Sequence, residues 1–416
     1  MRPVWAEISL DRLIQNYHLL RDAGGDAGLI AVVKANAYGH GAPACADALV
    51  KAGATWLGVT SVEEAVTLHA VRSAARVLIM SGIWEEREAE AAIEERLTPV
   101  VWEPTHLEWL AAAAERRSLA AQPVAVHLEI DTGMSRQGVQ LAELPGVLDQ
   151  LESAKALSLE GVMTHFHSPE LLNEDATKAQ QAQFALALEM IAARGFRPNV
   201  IHAGNSATVF TSGGAPGISE LAAKYGASAM LRPGLALYGY APRFAGDGAL
   251  AAAEALKPVL AWKTRVISLR TIEAGESAGY CATFHAQRSS HLALIPVGYA
   301  DGLNRLLSNR GAVLVRGQRA PMVGRISMDL TIVDVTDVRG VELGDEVVLI
   351  GEQHNTAQSS GLRAQKAGVR EQGSGNSETI TAYELADVEG TIPYEVLCNI
   401  SARVPRVNIA LGEGDA

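Results

Sequence analysis

The chain has 416 residues, 48% of them hydrophobic, and a formal net charge of −12; that length makes room for about two or three domains, and the charge sets long-range repulsion against any phosphate backbone. Three widely spaced cysteines, Cys45, Cys281 and Cys398, offer neither a disulfide frame nor zinc-ligand spacing. The opening MRPVWAEISLDR lacks the apolar centre of a signal peptide, and no run approaches the ~18 apolar residues of a membrane span, so the expectation is a cytoplasmic protein with no nucleic-acid and no membrane partner.

In chain order, VWAEISL alternates like a strand and precedes the helix-like LDRLIQNYHLLRDA. Residues 1–10 are expected to pair with the C-terminal part of the chain. Eight short apolar runs follow as candidate strands, at 29–34, 56–61, 77–82, 97–102, 123–131, 157–168, 199–205 and 230–239, with helix-like stretches such as EEREAEAAIEER between most of them. Eight alternations are the count of a TIM-type (β/α)8 barrel, an α/β barrel assigned to residues 1–245. An open doubly wound sheet gives a similar local pattern, but no GxGxxG follows the first strand. Beyond a linker in AGDGALAAAEALK the segments become short, β-branched and separated by Gly/Asp turns, which predicts an all-β C-terminal domain over 246–416. The polar stretch 353–378 has no apolar period and is expected to be a mobile surface loop.

The chemistry follows the same order. The run LIAVVKANAYGHG delivers Lys34 to the end of an apolar strand. Apolar flanks penalise the ammonium form, and a neutral amine can form a Schiff base with a carbonyl; a lysine capping a strand edge would look the same, so the run alone leaves both open. The fifth strand runs into DTGMSR (131–136), the sixth into Thr164 and His165, the seventh into Asn205 and Ser206, and the eighth carries RPG (232–234). In a barrel these are strand C-terminal ends, where active sites sit. Lys34, Arg136, His165 and Arg232 would then share one rim, a positive mouth suited to an anion. The small residues Gly204, Ser206 and Gly234 would let backbone N–H groups approach a phosphate. A phosphate-bearing cofactor that accepts an amine is pyridoxal 5'-phosphate. His165 and His167 have no third ligand at suitable spacing, so no metal site is expected.

Nine motifs, in order, carry a resemblance: AVVKANAYGHG (31–41), IDTGMSRQG (130–138), THF (164–166), GNSA (204–207), RPGLALYG (232–239), AGYCATF around Tyr280, PVGYADG (296–302), GRISMD (324–329) and TIPYEVLCNISARVPR (391–406). Over nearly its whole length the chain resembles the alanine racemases, fold-type III enzymes dependent on pyridoxal 5'-phosphate. The resemblance implies that Lys34 holds the cofactor and acts as base on one face of the substrate Cα, while Tyr280, supplied by the other subunit of a homodimer, acts on the opposite face. It implies that Arg232 faces the pyridine nitrogen, with His165 hydrogen-bonded to it. Tyr38, Ser206, Gly234, Leu235 and Tyr394 would bind the phosphate, with Asn205 beside them. Arg136 would meet the phenolic oxygen and the substrate carboxylate, and Tyr299, Met328 and Asp329 of the other subunit would line the entrance. The implied reaction interconverts L- and D-alanine, supplying D-alanine for peptidoglycan precursors. A racemase of broader specificity, or a non-catalytic carrier of the cofactor resembling the barrel alone, are the alternatives. One position departs from the pattern. Many members have a carbamylated lysine where this chain has Glu129, and its shared parity with His127 and Asp131 turns it to the barrel mouth; the expectation is that Glu129 replaces the carbamate and orients Arg136.

Overall fold

The computed structural model describes residues 2–71, 74–117, 123–172, 175–211, 214–245, 250–355 and 377–410. They form two compact units, Leu10–Lys257 and Met1–Ser9 with Pro258–Ala416. The division falls at 257/258, later than the 245/246 read from composition, because the alanine-rich tail Ala251–Ala255 and Lys257 stay with the first unit: the Asn16 side chain bonds Lys257 through both its N–H and its C=O. Residues 246–249 of the expected linker lie outside the described residues.

The first unit is a closed barrel. With β1 (Val4–Ser9) set apart in the other unit, its strands are β2 (Gly28–Val32), β3 (Trp56–Val59), β4 (Arg76–Ile79), β5 (Thr98–Val101), β6 (Val124–Glu129), β7 (Leu157–Met163), β8 (Val200–His202) and β9 (Ser228–Leu231). Each pairs in parallel with the next, and β2 closes on β9. Near-continuous burial explains why these runs are apolar without alternation: one face fills the barrel and the other lies under helices. Ile30, Trp56, Leu78, Val100, Met163, Val200 and Met230 form an apolar cluster drawn from seven of the strands.

All eight predicted strands are present, but several end earlier than their apolar runs. The run 29–34 stops as a strand at Val32, and 230–239 divides into β9 and a 3-10 turn, Leu235–Tyr238. Hydrophobicity reports burial, and an apolar turn tucked against the strand ends is as buried as the strand.

The second unit is mostly strand. It comprises β10 (Leu260–Arg265), β11 (Ser268–Ile272), β12 (Ser277–Ala278), β13 (Phe284–His285), β14 (Ser290–Ile295), β15 (Ala312–Val315), β16 (Gln318–Val323), β17 (Thr331–Asp334), β18 (Glu346–His354), β19 (Ser377–Ile380) and β20 (Arg406–Ile409). The main sheet runs β11-β14-β17-β16-β15-β18-β10-β1-β20, with β19 on β18 and the β12–β13 hairpin separate. The N-terminal β1 lies antiparallel to β10 and parallel to β20. The expected β domain is present, and two short helices, Ala382–Glu389 and Pro393–Cys398, accompany its strands. Of the polar stretch 353–378, residues 356–376 lie outside the described residues; its two ends are strand, paired in the register His354↔Ser377. Among the described residues no helix is long and apolar enough to cross a membrane.

Candidate active site

Lys34 does not end a strand; it begins a turn. Ala35, Asn36, Ala37 and Tyr38 have φ of 50°, 53°, 56° and 53°, a left-handed turn closed by Gly39 at 83°. Non-glycine residues give up roughly 1–2 kcal/mol each in this region, so neighbours must hold it. The Ala35 N–H donates to Glu64 Oε1 (2.7 Å), whose other oxygen accepts from the Thr60 N–H, and the Asn36 Oδ1 accepts from the Ala42 N–H (2.8 Å). Backbone strain over-determined in this way is found at functional sites. Lys34 is half-buried, and Tyr38 is buried with its ring centroid 5.0 Å from that of Tyr238.

Arg232 follows β9 and is buried. Its Nη1 lies 2.9 Å from His202 Nδ1; its Nη2 donates to the Thr164 carbonyl (2.6 Å) and to His165 Nδ1 (3.2 Å). Burial lowers Arg232 to about 10, a range in which it remains a cation at neutral pH. Burial, followed by the charges of Arg232, Arg136 and Lys34, lowers His165 to about 3, so the imidazole is neutral and its Nδ1 accepts. Gln180, on the helix Ala176–Ala193, fixes this loop: its Nε2 donates to the His165 carbonyl and to Thr132 Oγ1, and its Oε1 accepts from the His167 N–H. His167 is exposed, and among the described residues no group of three or more His, Cys, Asp or Glu is placed to hold a metal ion.

Ser206 and Gly234 meet directly. Ser206 Oγ accepts from the N–H groups of Gly234 (3.0 Å) and Ala236 (3.2 Å). Leu235 lies between those two donors, and Asn205 caps the four-residue helix Ser206–Val209 through the Ala207 N–H. A Cβ at Gly234 would lie 2.2 Å from the Tyr38 hydroxyl, so the turn after β9 and the Lys34 turn touch at a point only glycine admits.

Glu129 corrects an expectation. It is buried, but its carboxylate accepts from Gln137 Nε2 (2.6 Å), and no hydrogen bond or ion pair joins it to Arg136 among the described residues. The loop after β6 closes by a bridge between Ile130 and Val139, which sets Gln137 over Glu129 and leaves Arg136 exposed. Burial raises the Glu129 carboxyl above its ordinary range, opposed by the Gln137 bond and then by the charges of Arg232 and Arg136.

The remaining candidates belong to the second unit. Tyr280 is 70% exposed in a turn where Gly279, Cys281 and Ala282 all have positive φ. Tyr299, Met328 and Tyr394 are exposed as well. Asp329 accepts from Arg403 Nη2 (2.6 Å), and Arg403 Nε also reaches Asp301 (3.0 Å), a fully buried carboxylate that pairs with Arg2 and accepts from the Gly298 N–H.

Sequence reasoning missed Glu64, Gln137, Gln180 and His202. Gln137 stood inside a quoted motif, whereas the other three are set against the rim only by the fold.

The family described as alanine racemase, N-terminal domain, matches residues 8–242, and that described as alanine racemase, C-terminal domain, matches 259–372. The alanine racemase of Symbiobacterium thermophilum is 39% identical over 406 residues, 98% of this chain and 97% of that protein. Among solved structures, alanine racemase from the D-cycloserine-producing Streptomyces lavendulae superposes with a TM-score of 0.82 at 30% identity, covering 99% of this chain and 98% of that one. Alanine racemase from Bartonella henselae, described with covalently bound pyridoxal phosphate, superposes with a TM-score of 0.78 at 27% identity over 98% and 100% of the two chains.

Proposed function

The chain belongs to the alanine racemase family, and from that premise we propose that it interconverts L- and D-alanine with pyridoxal 5'-phosphate, as a homodimer, by a two-base mechanism that supplies D-alanine for peptidoglycan precursors. The observation that carries this reading is Arg232, a buried cation fixed by Thr164, His165 and His202 at the rim that also bears Lys34. The donor set fits the cofactor: an amine for the aldehyde, a donor-only guanidinium for a ring nitrogen, and Ser206 with the glycine turn at 234 for a phosphate.

Lys34 would hold the cofactor covalently and, once released by substrate, take the hydrogen from one face of Cα. Tyr280 of the partner subunit would deliver its own phenolic proton on the other, since inversion needs removal and delivery on opposite sides; the exposure of Tyr280, Tyr299 and Met328 supports a shared site. When bound, the cofactor supplies a sink for the electron pair left at Cα. Arg232, which keeps its own proton, would leave the ring nitrogen unprotonated and so hold charge at Cα, favouring return of hydrogen over decarboxylation or transamination. Arg136 would position the phenolic oxygen and the substrate carboxylate. Tyr38, Ser206, Gly234, Leu235 and Tyr394 would take the phosphate, beside Asn205. Tyr299, Met328 and Asp329 of the partner subunit would narrow the entrance to a small side chain.

Incubation with L-alanine, L-serine and L-lysine, following optical activity, tests the reading: alanine is racemised first, and an inert alanine solution overturns it. Borohydride reduction and peptide mapping should place the pyridoxyl label on Lys34 alone.

A further inference from the structure

A chain of hydrogen bonds crosses the barrel interior from the site to its opposite end. Arg232 Nη1 meets His202 Nδ1 at 2.9 Å, His202 Nε2 meets His127 Nδ1 at 2.7 Å, and His127 Nε2 meets Glu160 Oε2 at 3.4 Å. Glu160 is gripped by both terminal nitrogens of Arg76, at the N-terminal end of β4. His127 on β6 and His202 on β8 are not on neighbouring strands, so their contact lies inside the barrel, where both are fully buried. Space is reserved for it: a Cβ at Gly161 would lie 2.6 Å from the His127 imidazole. Arg76 also lies over the Trp56 ring, 4.2 Å from its centroid.

The two ends of the chain dictate every hydrogen in it. A guanidinium only donates and a carboxylate only accepts. His202 Nδ1 must therefore be bare, its Nε2–H donates to His127 Nδ1, and His127 Nε2–H donates to Glu160. All four ring nitrogens are satisfied, and all the dipoles point one way, an arrangement in which successive bonds polarise one another.

We propose that Glu160 is a positioning residue for Arg232, its negative charge strengthening His202 Nδ1 as an acceptor through His127 and so holding the guanidinium in the orientation the reaction uses. The inference rests on the reading of Arg232 given under Proposed function. It assigns work to a carboxylate on the far side of the barrel from the substrate.

The test is made on holoenzyme carrying 15N-labelled histidine, with the His127 signals assigned by their loss in His127→Gln. From about pH 6 to about pH 9, His127 and His202 should both show a bare Nδ1 and a protonated Nε2; a protonated Nδ1 on either ring overturns the proposal whatever the enzyme's activity. Glu160→Gln keeps an acceptor and removes the charge. It should weaken the Nε2–H signals of both rings and lower kcat about tenfold, the loss of one charge-assisted hydrogen bond, with KM little changed. Gly161→Ala, which crowds His127 and leaves every charge in place, should lower kcat in the same direction. Unaltered imidazole signals and unaltered kcat in Glu160→Gln would mean that the carboxylate merely satisfies a buried N–H. Failure of the wild type to racemise alanine would instead fail the functional reading, and the wild-type imidazole signals separate the two.

Discussion

Gln137 Nε2 stands 2.6 Å from Glu129 Oε2 and 2.9 Å from the Met80 carbonyl oxygen, spending both amide hydrogens on one buried carboxylate and one strand end. Glu129 thus lies in the same buried region as Arg232, each acting on the other's charge, while its direct partner is neutral.

That pairing leaves the carboxylate underpaid for its burial. A carboxyl raised by folding stabilises the fold in its protonated form, below the ordinary value of about 4.3, and loses that contribution as pH rises through its folded value. Glu129→Gln should therefore raise Tm at neutral pH, with the gain shrinking to nothing as pH falls towards about 4.3. A thermal melt series across pH checks this, and a lower Tm at neutral pH would show that the anion is a net stabiliser.

Glu160 has the opposite sign. Burial works to raise its carboxyl, but the bonds from His127 and Arg76 outweigh it and hold the group at about 2. Its contribution is present above the unfolded value of about 4.3 and lost as pH falls towards 2. Glu160→Gln should lower Tm at neutral pH, and the two melting curves should converge in acid. Curves that stay equally far apart down to the acid limit would contradict the linkage.

Gly234→Ala should push the Tyr38 hydroxyl out of place, because the new Cβ would lie 2.2 Å from it. The expected outcome is weaker retention of the cofactor on dialysis, followed by the absorbance of the bound group. Tyr38→Phe removes the nearest atom, so the double variant should lose less than the two single losses combined. Strict additivity would show that the two turns do not bear on each other at this point.

Tyr280→Phe removes one hydroxyl from a side chain that is 70% exposed. Stability should be unchanged within about 0.5 kcal/mol, while turnover in both directions falls by about 10²- to 10⁴-fold, the range of a lost general acid–base group. Labelling of Lys34 should persist. Wild-type turnover in this variant would remove Tyr280 from the mechanism.

The eight barrel strands were legible because burial on both faces leaves an unbroken apolar run, a signal local enough to read without the fold. The rim residues were legible for a related reason: Lys34, His165 and Arg232 stand within one or two residues of a strand end, and Arg136 lies in the loop that follows the fifth run. The left-handed turn after Lys34 was not: Asn36 tolerates positive φ, but Ala35 and Ala37 have no intrinsic reason to adopt it, and the backbone is held by Glu64 and Asn36. Nor was the partner of Glu129, because strand parity says which face a side chain takes but not which residue of a returning loop will cover it.

By itself the sequence determined the alternation of strands and helices, the change to β structure in the second half and the chemical character of the rim. Tertiary structure alone decided which of these residues touch. His127 and His202 are 75 positions apart and Arg232 is 67 positions from His165, separations at which local propensity carries no information. Closure of the barrel makes them neighbours, and a donor-only guanidinium at one end and an ionised carboxylate at the other then set the direction of every hydrogen between them.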